Sequence, residues 1–244
     1  MSGEGTGALA GAGGAGPDEA PAGEILLFLF TRKDGVSEDQ FRDHYLGVHA
    51  PMSVAHSTAT GRYVVRLVEG GHGPLPLPLD AVTEIHTESV DAFVDPAKGW
   101  DSTENWKAVI DDAASFLEGF HMYRVSREVL VPAEADTAAH PPGEAAGVAD
   151  AAAGVVGARG RSPGVVLARL FLTDDTGEEA ADEPDGPDAI PGAVRYRVLD
   201  TLSPGAPPLH AVDLVTLPDA TAARYRPNTY VLGEYVQKWP EEVR

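Results

Sequence analysis

"LPLDAVTEIHT" (residues 77–87) and "PPLHAVDLVTL" (residues 207–217) align without a gap, setting Leu79 against Leu209 and Val82 against Val212. The likeness continues upstream of each segment. "GEILLFLFT" (23–31) matches "GVVLARLFLT" (164–173), and "RYVVRL" (62–67) matches "RYRVL" (195–199) through Arg62–Tyr63 and Arg195–Tyr196. Three matched segments in the same order identify a diverged tandem repeat.

The first copy carries the clearer pattern. Ile25 to Phe30 is an uninterrupted apolar run, too short for a buried helix and suited to a strand covered on both faces. Ser37 is placed to cap a helix, with Gln40 three residues on as in a capping box, and Phe41, Tyr45 and Val48 follow at helical spacing. This predicts a helix over 38–49, ended by Pro51. "GRYVVRLVEG" (61–70) reads as a second strand, "GGHGPLPLP" as a loop, and "DAVTEIHTES" (80–89) as a third strand. A helix over 103–117 sets Trp106, Val109, Ile110, Ala113 and Leu117 on one face. "FHMYRVSREVLV" (120–131) is a fourth strand. The order βαββαβ predicts an α+β fold of ferredoxin-like units, each with two helices on one face of a four-stranded antiparallel sheet.

The expected organisation is a disordered Gly/Ala/Pro tail (1–23), a first unit (24–131), an Ala/Gly/Pro linker (132–163) and a degenerate second unit (164–244). Between the first two strands the second copy has a segment, 174–194, with eight acids, three glycines and several prolines, which cannot repeat the helix. On the third strand Glu84 is matched by Leu214 and His86 by Thr216. The apolar frame is kept and the polar residues are not, which points to a site in copy one with copy two as its structural partner.

Composition narrows the function. A net charge of −20 opposes binding to nucleic acid or anionic membrane, both of which need a basic footprint. The absence of cysteine removes disulfides and thiolate chemistry and fits a reducing cytoplasm. No histidine pair has the spacing of a helical metal site, no glycine-rich loop joins a strand to a helix, and no GxSxG elbow is present. Neither a metal nor another cofactor is expected.

"FRDHYLGVHAP" (41–51) gathers the ionisable groups. His44 and His49, five residues apart, stand about 140° apart on an α-helix, so they are not expected to share a site. Tyr45 shares the face of His49 and reads as core, with its hydroxyl available to a pocket. For His49 two readings stand: a charged cap at the helix end, or a general acid/base taking a proton from a phenol or an enolisable carbon. Glu84, His86 and Glu88 alternate and so share one face of the third strand. They form either an ion network with Arg62, Arg66 and Arg124 or a catalytic row; the network suits Glu88 better and catalysis suits His86. His121 opens the fourth strand, and Tyr63 and Tyr123 are candidates to face the same cavity.

A first strand ending in basic residues, "DGVSEDQFRDHYLGVHAP", an aromatic-bearing strand and "AVTEIHTES" together resemble the EthD family of the dimeric α/β-barrel superfamily, over roughly 24–131. The resemblance implies two units packed sheet to sheet as a barrel, formed within this chain as a monomeric pseudo-dimer or by homodimerisation. It implies His49 of the "HAP" motif as a pocket residue and Glu84 as the acid of the third strand, and Trp100 and Trp106 suit it. The reading is a cytoplasmic, cofactor-free enzyme of secondary metabolism, a cyclase, decarboxylase or isomerase acting on an aromatic or polyketide-derived small molecule. His49, His86 and Glu84 would be catalytic; Tyr45, Tyr63, Trp100, Trp106 and His121 would bind substrate. The alternatives are a cofactor-free monooxygenase on a phenol and a noncatalytic small-molecule binding protein.

Overall fold

The computed structural model describes residues 23–72, 77–130, 165–172, 193–217 and 229–238. The expected tail up to residue 22, the whole of the expected linker and the acidic 174–194 segment up to residue 192 lie outside the described residues. Eight strands close into one antiparallel barrel: β1 (Glu24–Arg32), β2 (Thr60–His72), β3 (Ala81–Thr87), β4 (Leu117–Val129), β5 (Val165–Leu172), β6 (Val194–Thr201), β7 (Leu209–Leu217) and β8 (Thr229–Lys238). Around the barrel they run β1-β3-β2-β8-β5-β7-β6-β4, so the order β4-β1-β3-β2 of the first half is repeated as β8-β5-β7-β6 in the second. The halves are joined through β2–β8 and β4–β6. Closure within a single chain leaves none of the described strands with an unpaired edge. The expected α+β barrel is therefore present.

Pairing register corrects one match made from sequence. Arg66 pairs with Val82 as Tyr196 pairs with Val212, and Val64 with Glu84 as Val194 with Leu214. The structural counterpart of Arg66 is thus Tyr196, and the two Arg–Tyr dipeptides are out of register by three residues. An odd slip turns every side chain to the other face. Tyr63 accordingly packs outside the barrel under the helices, whereas Tyr196 packs inside it. The match of Glu84 to Leu214 holds.

Helices α1 (Glu38–His44), α2 (Ala50–His56), α3 (Val90–Val94), α4 (Pro96–Gly99) and α5 (Thr103–Phe116) cover the outer face of the first-half sheet. Ser37 caps α1 as its sequence predicts, accepting from the Gln40 amide while the Gln40 side chain accepts from the Ser37 amide. Pro51 does not end the helix. Tyr45–His49 is a π-helical turn in which the Ala50 amide reaches the Tyr45 carbonyl, and α2 continues with Pro51 in its first turn. Proline has no amide hydrogen and its ring crowds the carbonyl four residues back; the widened turn before it absorbs both.

Two cores lie on the two faces of the first-half sheet. Leu26, Phe28, Phe30, Phe41, Tyr45, Tyr63, Ile85 and Phe116 fill the space between sheet and helices. Ile25, Leu27, Leu29, Val82 and Tyr123 meet Val166, Tyr196, Val212, Leu214 and Leu232 of the second half inside the barrel. Each such large side chain removed from water contributes about 1.5–3 kcal/mol. The alternation in β1, even residues outward and odd residues inward, explains why its sequence is apolar without interruption. No helix among the described residues is long and apolar enough to cross a membrane.

Candidate active site

An apolar cavity of about 170 Å³ lies between the outer face of the sheet and the helices. The sheet supplies Phe28, Phe30, Tyr63, Ile85, Phe120 and Met122; α5 supplies Trp106, Val109, Ile110 and Ala113; Phe93, Val94 and Trp100 close a side. Trp100 is fixed in place because its indole N–H donates to the Phe93 carbonyl at 2.8 Å. Gly99 before it packs so closely on the Ala92 carbonyl that a Cβ there would collide. The polar residues lining this cavity are His49, Ser53 and Tyr63, with the indoles of Trp100 and Trp106.

His49 is 5% exposed, not a solvent-facing cap. Its Nδ1–H donates to Asp112 Oδ2 at 2.9 Å, and His44 Nε2–H donates to Asp112 Oδ1 at 2.9 Å. The two histidines therefore share one carboxylate, against the expectation from α-helical geometry. The π turn is the reason: with bonds from i to i+5, residues five apart stack on one face. Burial raises the Asp112 carboxyl, but the hydrogen bonds from His49 and His44 outweigh it and hold the group below its ordinary value. An ionised Asp112 fixes the proton of His49 on Nδ1 and leaves Nε2 as the basic nitrogen, with no partner among the described residues. A base oriented by a carboxylate at the wall of an apolar cavity is a proton-transfer arrangement.

Tyr63 stands in the same cavity, its hydroxyl interacting with those of Tyr45 and Ser53, and burial pushes it up to about 12 despite them. It stays a proton donor at neutral pH. Tyr45 does not line the cavity; it is fully buried, bonded to Thr83 Oγ1 at 2.6 Å, and raised well above the ordinary phenol value by burial.

Glu84 and His86 are not in this site. They lie on β3 between outward-facing Thr83, Ile85 and Thr87, so both enter the barrel. The expected trio with His49 is therefore divided by the sheet itself. Inside, His86 Nε2–H donates to Glu84 Oε1 at 2.5 Å, Tyr196 O–H donates to Glu84 Oε2 at 2.7 Å, and Arg66 meets Glu84 at 3.0 Å and Glu234 at 2.8 Å. Burial raises Glu84, yet Arg66, His86 and Arg62 hold it well below the ordinary carboxylate value. Burial and the charge of Glu84 push Tyr196 far up. The network reading is thus realised for Glu84 with Arg62 and Arg66. Arg124 instead pairs with Glu24 at 2.8 Å and with Asp200, and Glu88 is exposed beyond the end of β3. The second half of the chain takes part here, because Tyr196 and Glu234 complete the network.

His121, between cavity residues Phe120 and Met122, projects to the other face and does not line the cavity. Asp112 was missed from sequence because an acid in "IDDAASF" reads as solvated surface. The available signal was its spacing, three residues after Val109 and four before Phe116, which places it at the edge of the buried stripe. Among the described residues no group of three or more His, Asp or Glu is arranged to hold a metal ion. Compared with known proteins, the chain matches no family model and no curated sequence.

Proposed function

We propose that the protein is a cofactor-free enzyme that performs acid/base chemistry on an aromatic or polyketide-derived small molecule, with His49 as the base. The observation that carries this is the Asp112–His49 pair at the edge of an apolar cavity. At about 170 Å³ the cavity matches one aromatic ring, since engineered cavities near 150 Å³ accept benzene. A larger polyketide would insert one ring and leave the remainder outside. His49 Nε2 takes the proton of a phenol or of an acidified C–H, giving imidazolium beside Asp112 and a phenolate or enolate in the cavity. The Tyr63 hydroxyl donates to that oxyanion. Returning the proton from His49 to carbon completes an isomerisation or the protonation after loss of carbon dioxide; in a cyclisation the enolate carbon attacks a carbonyl and His49 returns the proton to the alkoxide oxygen so formed.

The repeated strand order supports reading the two halves as diverged tandem ferredoxin-like units, and the first half as EthD-like, in a cytoplasmic enzyme of secondary metabolism. In this reading His86 and Glu84 are structural, and Trp100, Trp106 and Tyr63 are the substrate-binding residues.

The test is His49→Ala and Asp112→Asn, assayed for turnover and, separately, for binding on a panel of phenols and aromatic β-keto acids. Loss of about 10²–10⁴-fold in turnover with binding retained is expected for His49→Ala. Equal turnover in variant and parent would sink the assignment. Stoichiometric oxygen consumption would replace it with the monooxygenase. Saturable binding with no conversion of any bound compound would replace it with a binding protein.

A further inference from the structure

A second cavity, of about 280 Å³, lies inside the barrel, on the opposite face of the first-half sheet from the site above. Its lining combines Arg62, Arg66 and Arg127, Tyr196, Thr216 and Glu234 with the aliphatic Val129, Val166, Val194 and Leu214. The chain has a net charge of −20 and only 18 Lys and Arg in all, so three guanidiniums at one interior cavity are a marked concentration of positive charge. Their described counter-charges are Glu84 and Glu234. Arg66 is shared between both carboxylates and Arg62 meets Glu84 at 3.5 Å, so the cationic groups converge on this one space.

The donors are also under-used. Arg66 is 4% exposed and pairs through Nε and NH2, while its NH1 group is buried without a hydrogen-bond partner among the described residues. The Nε of Arg127 is likewise buried without a partner. Guanidinium donors in such a setting call for oxygen acceptors, which a carboxylate supplies two at a time. The cavity reaches the end of the barrel at Val129, which is 44% exposed, giving a route inward from solvent.

We infer that this barrel cavity binds a small organic carboxylic acid, its carboxylate against Arg66 and Arg127 and its apolar body against Val129, Val166, Val194 and Leu214. A carboxylate answers the unpartnered donors of Arg66 and Arg127, and a lining that is part guanidinium and part aliphatic matches an amphiphilic acid better than an inorganic ion. The site is separate from His49: the same β3 strand presents Ile85 to one cavity and Glu84 to the network beside the other.

Calorimetric titration of the full chain with sodium benzoate, and separately with inorganic phosphate, tests this. Benzoate binding is expected, weakened about tenfold or more in Arg127→Gln and unchanged in His49→Ala. Arg127 is the useful position because it has no ion pair with Glu84 or Glu234, so its loss leaves that network intact; Leu214→Glu, which puts a competing carboxylate in the aliphatic lining, should also abolish binding. Circular dichroism melting confirms that each variant is folded. Phosphate binding without benzoate binding would overturn the organic-acid assignment. Benzoate affinity unchanged in both folded variants, or lost in His49→Ala alone, would place the anion elsewhere. No binding of either anion to the parent would leave the arginines as counter-ions of Glu84 and Glu234 and overturn the site.

Discussion

The outer cavity and the barrel interior are separated by the thickness of one sheet, yet they handle ionisable groups in opposite ways. Outside, an aromatic and aliphatic lining is served by a single oriented base, His49, whose supporting acid stands behind it on α5. Inside, charge is dense and networked: Glu84 accepts from His86 and Tyr196 and is paired with Arg66, which also holds Glu234. The difference teaches that a buried titratable group is not by itself a sign of catalysis. What separates Glu84 from His49 is commitment of partners. Both oxygens of Glu84 are taken, whereas His49 keeps one ring nitrogen for a ligand.

The largest change should come from breaking the interior. Glu84→Gln leaves Arg66 with a lost partner in a dry setting and is expected to cost about 3–5 kcal/mol, read from urea unfolding. The double variant Glu84→Leu/Arg66→Tyr, which installs the residues that copy two has at the equivalent positions, should cost less than the sum of the two single changes. Additive costs would mean that the pair is not a unit.

Outside, Asp112→Asn should leave the fold in place and lower turnover by about 10²-fold, some 2.7 kcal/mol of barrel-independent catalytic loss. It removes the charge that orients and stabilises protonated His49. A change in substrate affinity with turnover unaltered would recast Asp112 as a packing residue.

Next in size, Tyr196→Phe deletes one charge-assisted hydrogen bond to Glu84 while keeping the ring, for an expected loss of about 1.5–3 kcal/mol. Its cost should shrink markedly in a Glu84→Leu background. An undiminished cost there would locate its contribution in the ring instead.

The smallest effect is one of pH. Asp112 is depressed in the fold, so between its ordinary value of 3.8 and its folded value the unfolded chain binds the extra proton, and stability rises with pH. The contribution is complete above the ordinary value and is lost as pH falls through the folded one. Urea midpoints taken from pH 5 to pH 3 should fall more steeply for the parent than for Asp112→Asn. Parallel slopes would show that Asp112 carries no net stabilisation.

How legible the molecule is from its sequence varies with the kind of information each step needs. The Ser37 cap, the strand beginning at "EILLFLF" and the equivalence of β3 with β7 are written in local pattern, and each is found in the structure. The Arg–Tyr match failed because identity of two residues weighs less than register, and register is set by pairing to β3 and β7. The helix 38–49 ran past its proline because a π turn, which no spacing rule announces, made room for it.

The sequence by itself determined that two segments match around β3 and β7, that Glu84 and His86 share a strand face, and that one helix end carries aromatic and histidine side chains together. These are consequences of periodicity along the chain, which needs no partner to be read. Only the tertiary structure decided which face of β3 is the inside of the barrel, and so divided His49 from Glu84 and His86. Only it brought Asp112 of α5 to both histidines and Tyr196 and Glu234 of the second half to the first. Those contacts join residues 63 to 168 positions apart. Their cause is barrel closure and helix packing, in which burial fixes geometry between segments that no local pattern connects.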